Sequence, residues 1–218
     1  MSINIYSTRK AVMDAVKQDG YLLLYASMEL RSDKEVVMEA VMTEGSALEY
    51  ASVELRNDKE VVVRAVKDCR LAFQHASEKL KGDKEVVMEA VKKYGWMLDY
   101  ASNELKGDKE VVIEAVKQNG FALQCASIEL KGDIEVVMAA VREDGRALQF
   151  ASERLKGDME VVVKAVKQDK RALEYASVGL RTNPKLVLIA ISPNNTIQSV
   201  VVLKYYSIKD NITWMRLS

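Results

Sequence analysis

The stretch Asp108-Lys109-Glu110-Val111-Val112-Ile113-Glu114-Ala115-Val116-Lys117-Gln118-Asn119-Gly120 decides the fold, together with its continuation Phe121-Ala122-Leu123-Gln124-Cys125-Ala126-Ser127-Ile128-Glu129-Leu130-Lys131-Gly132. The tripeptide Cys125-Ala126-Ser127 recurs as Tyr25-Ala26-Ser27, Tyr50-Ala51-Ser52, His75-Ala76-Ser77, Tyr100-Ala101-Ser102, Phe150-Ala151-Ser152 and Tyr175-Ala176-Ser177. Each step is 25 residues, which gives seven units (8–32, 33–57, 58–82, 83–107, 108–132, 133–157, 158–182) and a half unit from Asn183 to Ser192. One inserted residue would rotate every later helix by about 100°. Spacing this strict marks a repeat architecture.

Within the quoted copy, Asp108 suits an N-cap, because its carboxylate can accept from an orphan N–H of the first turn. Glu110 puts negative charge near the positive end of the dipole and Lys117 puts positive charge near the other end. Gly120 is read as a left-handed residue ending a first helix of about 10–12 residues. Pro184 occupies the N1 slot of the last copy. Nine of the ten glycines fall in two slots: Gly20, Gly45, Gly95, Gly120 and Gly145 after the first helix, and Gly82, Gly107, Gly132 and Gly157 after the second.

The second helix is read as one continuous element through Leu123, Ala126 and Leu130, a single i, i+3, i+7 stripe. The first helix is apolar around most of its circumference, through Val111, Val112, Ile113, Ala115 and Val116. A pair of 25 residues cannot bury that surface alone, whereas stacked neighbours can. The expectation is an all-α solenoid of seven 25-residue helix-turn-helix repeats plus a half repeat, about 60–70 Å long at the usual interaxial spacing, with the first helices inside. The unvarying Ala and Ser of the tripeptide are read as a place where helices approach closely. Residues 1–7 are a lead-in, 8–192 the repeat array and 193–218 a non-repeat tail. In that tail Val200 to Leu203 and Tyr205-Tyr206 favour a strand, a cap or a loose segment.

Composition narrows the function without choosing it. Lys plus Arg and Asp plus Glu both total 32, so the formal net charge is zero, and 49% of residues are hydrophobic. That balance excludes intrinsic disorder, and it removes the basic footprint of a dedicated nucleic-acid binder unless cations gather on one face. No basic segment followed by an apolar run opens the chain, and no stretch of about 18 apolar residues occurs. A reducing compartment, cytoplasmic or nuclear, is expected, with no membrane association. The Asn-x-Thr tripeptides at Asn194 and Asn211 are then accidental. One His and two Cys are too few for a structural zinc site. No cofactor is expected.

The combination Asp-Lys-Glu-Val-Val-x-x-Ala-Val-Lys-x-x-Gly-x-Ala-Leu-x-Tyr-Ala-Ser-x-Glu-Leu, nearly intact at 83–105 and 33–55, resembles the repeat of the domain of unknown function family 4116, found in protist and large-virus proteins. The resemblance covers residues 8–192. It implies a helical repeat but no activity, cofactor or site residue. Arg70 and Lys170 stand where the family pattern has Gly, and Gly179 where it has Glu; the two lost glycines put the helix stop in question at those repeats.

Candidate chemistry is weighed slot by slot. The carboxylates Asp33, Asp58, Asp83, Asp108, Asp133 and Asp158, each with Glu two residues on, read as caps and dipole partners rather than as a metal or acid–base ladder, since they repeat identically. His75 shares a slot with Tyr25, Tyr50, Tyr100, Cys125, Phe150 and Tyr175, and is a packing variant. Cys69 and Cys125 are two units apart, about 20 Å, beyond the ~7 Å Cα limit of a disulfide. No phosphate loop, nucleophile elbow or paired-His motif is present, so no enzyme activity is expected.

Two basic ladders, Arg31, Arg56, Lys81, Lys106, Lys131, Lys156, Arg181 and Lys17, Lys67, Lys92, Lys117, Arg142, Lys167, could track phosphates. The neighbouring acidic ladders favour a solvated, charge-paired face instead. The informative slot is the one after the inter-helix turn: Tyr21, Ser46, Leu71, Trp96, Phe121, Arg146 and Arg171. It runs from aromatic to cationic in a template otherwise nearly fixed. Aromatic and Arg side chains are the usual anchors of interfaces; drift at a tolerant surface position is the other reading. The expected function is a non-catalytic scaffold whose edge, built from Tyr21, Leu71, Tyr94, Trp96, Phe121, Arg146 and Arg171, binds an unidentified protein or peptide. Nucleic-acid binding along the Lys/Arg ladders is the alternative, and the oligomeric state is not legible.

Overall fold

A computed structural model describes residues 8–191. The lead-in and the tail, for which a strand or cap was expected, lie outside the described residues. Two compact units divide the chain, one up to Ser127 and one from Ile128 onward. Every element among the described residues is helical.

The repeat at 83–107 shows how the first unit is built. Its long α-helix, Lys84–Lys93, is capped as the sequence indicates: Asp83 Oδ1 accepts from the N–H groups of Glu85 (3.0 Å) and Val86 (3.1 Å). The inward face buries Val86, Val87, Ala90 and Val91, a contribution of about 1.5–3 kcal/mol for each fully buried valine. Lys34–Thr43, Lys59–Asp68 and Lys109–Gln118 repeat this helix, and each packs on the next. In the second unit Ile134–Glu143, Met159–Gln168 and Pro184–Ile191 do the same. The long helices form the covered layer that their apolar circumference requires.

The second half of the repeat is not one helix. A six-residue 3-10 helix, Gly95–Tyr100, is followed by a one-turn α-helix, Asn103–Lys106. Between them Ala101 is extended, with φ −69° and ψ 156°. The break explains the fixed Ala-Ser. Ala101 N–H closes the 3-10 segment on Leu98 O at 3.1 Å. Ser102 then has its N–H free, and donates it to Lys81 O of the preceding repeat at 2.9 Å. Its Oγ accepts from Leu105 N–H at 3.4 Å, capping the short helix. The same cross-repeat bond joins Ser52 to Arg31, Ser77 to Arg56 and Ser127 to Lys106 in the first unit, and Ser152 to Lys131 and Ser177 to Lys156 in the second, each at 2.9 Å. The tripeptide is therefore a joint between repeats, not a close helix crossing. A continuous helix would have spent the serine N–H internally.

Close approach occurs elsewhere, at the first glycine slot. The long helices end on an extended residue, such as Tyr94 (φ −136°, ψ 88°), and Gly95 opens the 3-10 helix without a left-handed φ. A Cβ on Gly95 would lie 2.2 Å from Ala115 O on the next long helix, and one on Gly145 would lie 2.2 Å from Ala165 O. Glycine is required by space, not by backbone sign. Where Arg70 replaces it, the 3-10 helix begins only at Ala72 and runs to His75; Lys170 keeps the six-residue form, Lys170–Tyr175. The second glycine slot is less demanding. Gly82 has φ −99° and open space around its Cβ position, and Asn57 and Thr182 fill equivalent places with similar φ.

Candidate interaction surface

Within the first unit the 3-10 helices of successive repeats stack on one another, as do Gly145–Phe150 and Lys170–Tyr175 in the second. Each carries the variable slot near its first turn. Tyr21 is 46% exposed and packs edge-on to Tyr50, with ring centroids 6.4 Å apart. Ser46 is the buried member of the row, its Oγ 2.8 Å from both Tyr21 Oη and Glu44 Oε1. Leu71 is exposed. Trp96 is half-buried and edge-on to Tyr100 at 6.1 Å. Tyr94, one residue before Gly95, sits under the Lys93 ammonium, 5.6 Å from its ring centroid. Phe121 is half-buried on the adjacent 3-10 helix, where its N–H donates to Asn119 Oδ1 at 3.1 Å.

The last two members of the row belong to the second unit. Arg146 is held within it, its Nη2 2.8 Å from Asp144 Oδ2 and its Nε 3.3 Å from Asp169 Oδ2. The side-chain bonds to Asp144 raise its pKa above the ordinary arginine value. Arg171 is exposed, and its backbone N–H donates to Asp169 Oδ1 at 2.8 Å. Tyr94, Trp96 and Phe121 thus come together on neighbouring segments of one unit, while Arg146 is committed to internal ion pairs.

The charge ladders are paired in a way the sequence reading did not identify. In the first unit the residue after each N-cap reaches the next repeat. Lys34 Nζ lies 2.8 Å from Asp58 and 2.9 Å from Glu60, Lys59 Nζ 3.0 Å from Asp83 and 2.7 Å from Glu85, and Lys84 Nζ 2.8 Å from Asp108 and 2.7 Å from Glu110. Arg9 makes the same pair of contacts with Asp33 and Glu35. Hydrogen bonding to Arg9 holds the Asp33 carboxyl below its ordinary pKa, and bonding to Lys84 does so for Asp108. The signal was available as Lys spaced 24 residues before Asp and 26 before Glu. In the second unit Ile134 and Met159 take this slot, and both are exposed.

The ladder ending the one-turn helices is turned inward. Lys81 Nζ pairs with Glu78 and Lys156 Nζ with Glu153, each at 2.8 Å, with only 15% and 19% of the two lysine side chains exposed. His75 is half-buried beside Gln74, 2.9 Å from its side-chain nitrogen, and desolvation lowers its pKa. Cys69 and Cys125 are free thiols. Among the described residues no group of three or more His, Cys, Asp or Glu is placed to hold a metal ion. No described helix is long and apolar enough to cross a membrane.

A family model described as Domain of unknown function (DUF4116) matches residues 8–56, 41–81, 83–131 and 133–181. A match such as 83–131 spans two of the 25-residue repeats, so the family unit is a pair of the structural ones. No curated protein and no solved structure matches the chain.

Proposed function

The chain belongs to the DUF4116 family, and from that premise we propose that it is a non-catalytic helical-repeat scaffold that binds a protein segment along the edge bearing Tyr94, Trp96 and Phe121. One observation carries the reading. The slot that varies most, Tyr21, Ser46, Leu71, Trp96 and Phe121 in the first unit, sits on stacked 3-10 helices whose own packing residues, Leu48, Leu98 and Leu123, are constant and buried. A fixed scaffold that varies its side chains in one row is how repeat proteins distinguish partners. Trp96 and Phe121 supply large rigid surface at low entropic cost.

The nucleic-acid alternative draws less support. Its cations Lys81 and Lys156 are folded back onto glutamates, and Arg146 is held by two aspartates. The test is affinity capture from the native cell with wild type and the Trp96→Ala/Phe121→Ala double variant side by side, followed by mass spectrometry. A protein captured by wild type and lost by the variant is the expected result. Equal capture of every protein by both refutes the edge. Retention of RNA or DNA that falls steeply between low and moderate salt would favour the alternative.

A further inference from the structure

The first two repeats carry a feature that the scaffold reading does not use. At the start of each one-turn helix the repeats hold Met28, Val53, Glu78, Asn103, Ile128, Glu153 and Val178, and three residues later Arg31, Arg56, Lys81, Lys106, Lys131, Lys156 and Arg181. Where the first of these is Glu, the basic residue is Lys and the two are paired, as in Glu78–Lys81 and Glu153–Lys156. Where the first is Met28 or Val53, the basic residue is Arg and no carboxylate faces it. Arg31 Nε and Arg56 Nε are covered and have no hydrogen-bond partner among the described residues. Met28 and Val53 are 76% and 64% exposed. These four side chains and Tyr50 line one open cleft of about 350 Å³.

Two guanidinium groups in adjacent repeats therefore keep their full charge beside apolar and aromatic surface. The carboxylate that also borders the cleft, Glu54, is held by its own backbone N–H and by Ser52, and its pKa is lowered for that reason. We propose that the cleft lined by Met28, Arg31, Tyr50, Val53 and Arg56 binds an acidic peptide segment that places an apolar or aromatic side chain between its carboxylates. Carboxylates match the planar donor fork of arginine, and Met28 and Val53 give the apolar residue its seat. The chain's own tail is the wrong occupant by charge, since residues 192–218 hold Lys204, Lys209 and Arg216 against Asp210. The surface is separate from the Trp96 edge, and the two can fail independently.

The test uses the full chain and a fluorescein-labelled peptide with one Phe flanked on each side by Asp-Glu, read by fluorescence anisotropy at low salt. Binding is expected to weaken at least tenfold in Arg31→Gln/Arg56→Gln. It should weaken equally in Met28→Glu/Val53→Glu, which installs the Glu–basic arrangement already tolerated at Glu78–Lys81. Trp96→Ala/Phe121→Ala should bind the peptide as wild type does. In nitrogen–proton spectra the Nε–H signals of Arg31 and Arg56 should shift on titration. The proposal is overturned by no binding to wild type, by unchanged binding to either cleft variant, or by loss of binding in the Trp96/Phe121 variant. It is also overturned if the peptide with Phe replaced by Gly binds as well, or if single-stranded polyuridylate binds the cleft and the peptide does not.

Discussion

Replacing Gly95 by alanine isolates the contact that sets the spacing of the first unit. The added Cβ would sit 2.2 Å from Ala115 O, 3.1 Å from Ala115 C and 3.1 Å from Asn119 N, all backbone atoms of the next long helix. Ordinary contact begins near 3.4 Å, so the two segments must separate by about 1 Å. No side chain can change rotamer to make room. The cost lies at the upper end of the overpacking range, about 3 kcal/mol, offset by roughly 0.4–1 kcal/mol from the stiffer unfolded chain. Stability should fall by about 2 kcal/mol, a Tm lower by about 4–8 °C for a chain of this size. Gly82→Ala is the control. Its Cβ would meet nothing closer than 3.5 Å and its φ is −99°, so stability should stay unchanged or rise by up to ~1 kcal/mol. Melting of both variants by far-UV circular dichroism checks the pair. A Gly95→Ala protein melting with wild type, or a Gly82→Ala protein falling as far, would refute the argument that space rather than backbone sign selects these glycines.

Three further expectations follow from the joints between repeats. Lys59→Met copies the residue found at Met159 and removes the bonds to Asp83 and Glu85; urea midpoints should drop by about 0.5–1 kcal/mol at low salt, and the difference should vanish near 1 M salt. Ser102→Ala deletes the Oγ that caps the one-turn helix at Leu105 and should cost about 1 kcal/mol in urea unfolding, with faster amide exchange in Asn103–Lys106. Asp33, Asp58, Asp83 and Asp108 all titrate below their ordinary value when folded. Groups shifted this way contribute stability above the unfolded aspartate pKa of about 3.9, and that contribution is lost as the pH falls through the lower folded values. Urea midpoints should therefore be level near neutrality and decline from about pH 4 downward; Asp83→Asn should flatten the decline.

The 25-residue period, the Asp caps and the Val-Val-x-x-Ala-Val face are local and periodic, and the sequence by itself determined from them an all-α repeat with buried first helices. It also exposed the variable row holding Trp96 and Phe121, because a departure is visible against a constant template. Other features depend on atoms far apart in the chain. The carbonyl of Ala115 that excludes a side chain at Gly95 is 20 residues away, so the glycine read as a helix stop when only local backbone preference was considered. Ser102 ends its helix because its N–H finds Lys81 O in the preceding repeat, and that acceptor exists only once the repeats are stacked. Whether a cation is neutralised follows the same logic. Lys81 and Arg56 look alike in the alignment of repeats, yet only Lys81 has a glutamate one turn before it within reach. Period and caps are properties of neighbouring residues; clearance, joint bonds and unpaired charge are properties of packed surfaces, which only the tertiary structure brings together.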